Sequence, residues 1–100
     1  MILALLAATI PLLPPDLAVD LRCVAVLGVA GDPALARDGA LFTAIVGAAA
    51  MDATGQTREA VGALITTQVK IVRSAPATRD ERQVCATRMR ERIALQKAMP

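Results

Sequence analysis

"RQVCATRMRERI", Arg82 to Ile93, sets the second of two cysteines among four arginines. Three readings of Cys85 compete there: a thiolate activated by positive charge, one half of a disulfide, or a small apolar residue inside a basic nucleic-acid-binding helix. On a helix, Cys85, Met89 and Ile93 recur every four residues and share one face, with Ala86 beside them. That spacing turns Cys85 toward a core. The helix opens at "TRDE", where Thr78 and Glu81 have the three-residue spacing of a capping box, and it is predicted to run to about Lys97.

The other cysteine lies in "PPDLAVDLRCVAVLGVAGD", Pro14 to Asp32. Prolines suit the first turn of a helix, Asp16 caps or favours its positive end, and Gly31 is a stop signal. Leu17, Leu21, Val24 and Leu27 form an apolar stripe, and Cys23 sits next to it. Two cysteines, each on the inner face of a terminal helix, favour one Cys23–Cys85 disulfide in an exported chain. The bridge closes a separation of 62 residues. Lost loop entropy makes that worth roughly 4 kcal/mol, against a total stability of ~5–15 kcal/mol. With the first and last helices antiparallel, the bridge predicts Asp20 near Arg88 and Asp16 near Arg92, as exposed pairs worth ~0–1 kcal/mol each.

Between the cysteines, "DPALARDG" offers Asp32 as N-cap and Pro33 as first helical residue of a short helix to about Asp38, with Gly39 as a break. "ALFTAIVGAAAM", Ala40 to Met51, carries no charge. A helix apolar on all sides is normally buried, and this run has core length rather than the ~20 residues of a bilayer span. It is expected to be the central element, with Phe42, Ile45, Val46 and Met51 supplying the bulk. "DATGQTRE" turns at Gly55. A third helix is predicted from about Thr57 to Arg73, with Val61, Leu64, Ile65, Gln68 and Val72 on one face. Its second half, "ITTQVKIV", is β-branched enough to read as a strand, but a lone strand has nothing to pair with. "SAPAT" ends the helix at Pro76.

Composition narrows the chemistry. One hundred residues make at most one domain. The chain has no histidine, which removes the commonest general base and metal ligand, and with them any Ser-His, Cys-His or zinc-histidine mechanism within one chain. Phe42 is the sole aromatic, so there are no platforms for base stacking. A catalytic thiol at Cys85 lacks a Cys-x-x-Cys partner and a helix N-terminus. Asp16 and Asp20, four apart on one helix face, are accounted for as solvated acids. No metal cluster or phosphate loop is recognisable, and no cofactor is expected. The chain is expected not to be an enzyme.

The net charge of +2 hides an asymmetry: residues 1–55 carry two basic against five acidic side chains, and residues 56–100 nine against four. Acidic and basic helices facing each other account for this split; a basic arm for an anionic partner is the alternative. Arg79, Arg82, Arg90 and Lys97 cluster on one side of the last helix as an anion-contact patch, with Glu81 and Glu91 interleaved.

At the N-terminus, "MILALLAATIPLLPPD" holds an uncharged apolar run from Ile2 to Leu13 with the length of a signal-peptide core. It has no basic residue ahead of it and no clean small-x-small cleavage site, and a first segment packed on the domain is the competing reading. The resulting expectation is an all-α chain: a signal-peptide leader over 1–15, then a helical domain over 16–98 built as a small four-helix up-down bundle with a short extra helix.

Across "DLRCVAVLGVAGDPALARDGALF", Asp20 to Phe42, the chain resembles small uncharacterised secreted helical proteins of bacteria with one well-separated cysteine pair. The likeness is one of layout over about residues 16–95. It also looks superficially like the small periplasmic acid-stress chaperones, which are helical and bridged once. The resemblance implies a periplasmic or secreted protein acting as a structural or protein-interaction module, holdase-like when its central apolar helix is exposed. A protein partner or a second copy is the expected ligand, nucleic acid is disfavoured, and no transmembrane span is expected. The alternative is a basic-helix module for nucleic acid or an anionic surface.

Overall fold

The computed structural model describes residues 13–99, and every regular element among them is helical. Helix α1 is Pro15–Ala30; a 3-10 turn, Pro33–Leu35, leads into α2, Ala36–Thr54; α3 is Arg58–Ser74 and α4 is Arg79–Ala98. The leader expected over 1–15 lies outside the described residues as far as position 12.

Local chemistry explains most boundaries. Gly31 and Gly55 take the left-handed conformation, with φ of 63° and 68°, and their N–H groups donate to Leu27 and Met51 carbonyls to close α1 and α2. Thr57 and Thr78 cap α3 and α4 by accepting from the Ala60 and Glu81 N–H groups. Asp32 accepts from the Ala34 N–H at 2.9 Å ahead of Pro33. Asp16 does not cap α1: Pro14 holds that position and offers no side-chain bond.

One expectation gives way here, and one holds against its alternative. Gly39 does not break the chain; it lies inside α2, where a glycine costs about 1 kcal/mol relative to alanine and the burial of Phe42, Val46 and Ala50 on the same helix offsets that. The β-branched run 65–72 is helical throughout α3. Thr66 and Thr67 donate back to the Gly62 and Ala63 carbonyls, so their hydroxyls are satisfied within the helix.

The larger correction concerns the centre of the molecule. Helix α1 approaches all three other helices, α2 approaches α3 and α4, and α3 and α4 have no close backbone approach to each other. A ring of sequential up-and-down neighbours would set α4 beside α3, whereas α1 and α2 stand between them. Helix α1 buries Leu21, Cys23, Val24, Ala25 and Val26 in succession, as only a helix covered on several sides can. Helix α2, expected at the centre, buries a single stripe of Phe42, Val46 and Ala50. Its charge-free run 40–51 is largely alanine and glycine, whose small apolar area provides little drive to cover the remaining faces.

Phe42, Val46, Val26, Val72, Cys85 and Met89 are the bulkiest side chains sealed in the core. The face predicted from "RQVCATRMRERI" is the one α4 buries: Cys85, Met89 and Ile93.

Candidate functional site

Three features of the folded chain bear on function: the seam between α1 and α4, a groove between α2 and α4, and the basic side of α4.

In the seam, the Cys23 and Cys85 sulfurs lie at disulfide distance, with Cα atoms 5.0 Å apart. Both residues are buried, at 3% and 1% exposure, so the Cys85 sulfur is closed to a substrate. Positions 22 and 23 of α1 meet positions 81 and 85 of α4, and the earlier positions 16 and 20 meet the later 88 and 92, which makes the two helices antiparallel.

The charge pairing differs from the expected register. Asp20 meets Arg88, as expected, but Arg92 also turns to Asp20, donating from Nε to Oδ2 at 2.9 Å. Asp16 instead receives Arg88, whose Nη2 donates to its backbone carbonyl at 3.0 Å. The reason is burial. Asp20 is 4% exposed, and a carboxylate withdrawn from water requires partners on both oxygens. Its hydrogen bond to Arg88 raises that guanidinium's pKa. The position was legible: Asp20 shares the helical register of Leu17, Leu21 and Val24, so it lies within the apolar stripe.

Arg22 and Glu81 form a pair that the sequence did not reveal, with Arg22 donating to both carboxylate oxygens at 2.7 and 3.0 Å. This contact holds the Glu81 carboxyl below its ordinary pKa. It also diverts Glu81 from the reciprocal half of the capping box, leaving only the Thr78 half in place.

The groove between α2 and the C-terminal half of α4 has a volume of about 640 Å³. Leu41, Ala44 and Ala48 line it from α2, and Leu95 lines it from α4 with Met99 just beyond. Leu17, from the first turn of α1, reaches its wall. Pro33–Thr54 is long and apolar enough to cross a membrane by length and composition, with a mean hydropathy of 1.3, and only 17% of that apolar window is buried. The sequence signal for this groove is the charge-free run 40–51, whose composition equally suits a core helix.

The predicted anion patch is exposed along its whole length. Arg79 and Arg82 come together beside Leu27, Leu35 and Asp32 at the start of α4. Arg90 and Lys97 lie about 12 and 22 Å farther along the helix than Arg82, at 1.5 Å per residue, so the four do not converge on one point. Arg82 donates to the Ala77 carbonyl at 2.9 Å and Arg90 to the Thr87 hydroxyl at 3.4 Å. Among the described residues none of the four is in an ion pair, whereas Arg22, Arg88 and Arg92 are all neutralised. No group of three or more potential metal-ligating side chains occurs among the described residues.

Comparison with protein-family models, with curated proteins and with solved structures finds no match to this chain.

Proposed function

We propose that this is a small exported helical module that works by protein interaction rather than catalysis, with its Cys23–Cys85 pair oxidised and the groove between α2 and α4 as its binding surface. The observation that carries this reading is the convergence of Leu41, Leu95 and Met99, all exposed, with Ala44 and Ala48 on one groove. A contiguous exposed apolar surface is where soluble proteins bind partners. The proposed partner is a segment of unfolded polypeptide, held as a holdase holds its client. The apolar run 2–13 and the buried cysteine pair support export, and the internal neutralisation of Asp20 by two arginines supports a scaffold role for the seam. The packing of Phe42, Val46 and Ala50 into the core supports a place for α2 in the folded domain rather than in a bilayer.

The test uses protein recovered from an exporting host, its intact mass measured before and after reduction. The expected mass lacks two hydrogens and an N-terminal segment. This protein is then titrated into thermally unfolding citrate synthase, with light scattering as readout, at neutral and mildly acidic pH. Suppressed aggregation that is lost with Leu41→Asp and Leu95→Asp supports the reading; undiminished aggregation at both pH values overturns it. An apolar dye that binds on acidification and is released on neutralisation supports a holdase whose helices loosen in acid.

A second reading, a basic-helix module for an anionic partner, is favoured by one observation: Arg79, Arg82, Arg90 and Lys97 are exposed and free of ion pairs among the described residues. Phosphate-driven binding strengthens steeply as salt falls. Binding to a short duplex or to anionic vesicles that persists at moderate salt and weakens with Arg79→Ala and Arg82→Ala favours this reading over the first.

A further inference from the structure

Helix α2 carries an outer stripe directly opposite its buried one. Phe42, Val46 and Ala50 are buried, and Arg37, Leu41, Ala44, Ala48 and Asp52, recurring every three or four residues on the other side of the helix, are all exposed. From Leu41 to Asp52 this stripe forms a wall of the groove shared with α4. Its two charges stand at its ends, Arg37 in the first turn of α2 and Asp52 in the last. Among the described residues neither is in an ion pair. We propose that two copies of the chain pair through this face, their α2 helices antiparallel about a twofold axis between Ala44 and Ile45, so that Arg37 of each copy meets Asp52 of the other.

Register and polarity support a second copy as the occupant. About that axis Arg37 and Asp52 are equidistant, as are Leu41 and Ala48, so one antiparallel register forms both ion pairs and lays each Leu41 against the partner's Ala48. A parallel pairing would set like charges together. Both charges also stand at the wrong ends of their own helix, since a cation is disfavoured at a helix N-terminus and an anion at the C-terminus. An antiparallel neighbour brings each to an end of opposite sign. Asp38, also in the first turn, is turned about 100° round the helix from Arg37 and stays outside the stripe. Asp20 and Arg92, the other charges lining the groove, pair with each other. The grooves of the two copies then face one another, with Leu95 and Met99, exposed at 57% and 65%, along the edge. A self-complementary face of this kind closes a symmetric dimer. Alanine offers little apolar area, so the association is weak, with a dissociation constant on the order of 10–100 µM, and the dilute chain is a monomer with its groove open. The inference rests on the reading of this groove as the interaction surface, and it makes chain concentration what decides whether that surface is covered.

Sedimentation equilibrium on protein recovered from an exporting host, from about 1 to 500 µM, brackets the expected dissociation constant. The expected result is a monomer at the dilute end and a dimer at the concentrated end. Arg37→Asp and Asp52→Arg, each alone, turn both symmetry-related pairs repulsive and should weaken association at least roughly tenfold. Mixing the two variants should restore it, because an all-acidic stripe then meets an all-basic one. Val84→Asp, exposed at 63% and outside the groove, should leave association unchanged. Far-UV circular dichroism verifies that each variant remains helical. A monomer at the highest concentration, association indifferent to both charge reversals, or variants that fail to pair when mixed each overturns the inference. The two readings fail separately: client protection by a chain that stays monomeric removes only this inference, and a dimer with the expected charge dependence but no client protection by the dilute protein removes only the proposed function.

Discussion

The seam between α1 and α4 and the outer face of α2 invert what their sequences suggest. The seam holds two aspartates, three arginines and a glutamate in ion pairs, yet Asp20, Cys23, Cys85 and Met89 there are sealed from water. The α2 face has hardly a charge, yet Leu41 and its alanine neighbours are in contact with solvent. Hydropathy along a chain measures how much apolar surface a helix carries. Whether that surface is covered depends on bulk and on partners: Asp20 is buried because two guanidinium groups replace its water, and the α2 alanines stay exposed because covering them yields little free energy.

The contrast breaks first inside α2, between adjacent residues. Phe42→Ala empties the centre of the core and should cost ~3–5 kcal/mol, read as a lowered urea midpoint. Leu41→Ala, one position away, should leave that midpoint nearly unchanged. Equal losses at the two positions would mean the outer face is packed after all.

On the seam, replacing both cysteines, Cys23→Ala with Cys85→Ala, should cost roughly 4 kcal/mol by loop entropy. Reduction of the wild-type protein should reproduce most of that loss. Next comes Asp20→Ala, which strands Arg88 and Arg92 against the helix. Full burial of both partners would make this worth 3–5 kcal/mol, and the partial exposure of the arginines, 24% and 32% for their side chains, reduces it to about 2 kcal/mol. A double-mutant cycle with Arg88→Ala measures the coupling directly.

A smaller effect belongs to the half-exposed Arg22–Glu81 pair. Because Arg22 lowers the folded pKa of Glu81, the pair's contribution is complete above the ordinary glutamate pKa and disappears as pH falls through the lowered value. Water and salt screen it to at most ~1 kcal/mol. Stability of wild type and Glu81→Gln, compared from pH 6 down to pH 2, should therefore converge at the acid end. Smallest of all is Leu95→Asp, expected within ~0.5 kcal/mol because the residue faces water.

Helix α4 shows how far a sequence can be read when local and tertiary demands agree. The four-residue recurrence of Cys85, Met89 and Ile93 named its buried face, and Thr78 named its first capping bond. Glu81 shows where such reading stops, because its capping partner lies three residues away whereas its actual partner, Arg22, lies on a helix at the other end of the chain.

The sequence by itself determined that this chain is helical, where its turns lie at Gly31, Gly55 and Pro76, which face of α4 is buried, and that Cys23 and Cys85 belong together. All of these follow from periodicities and caps that operate within about one helical turn. Tertiary structure alone decided that α1 rather than α2 is central, that Asp20 takes two arginines, and that three leucine and methionine side chains meet in one groove. Those outcomes depend on which helices compete for the same volume, and no window of neighbouring residues carries that information.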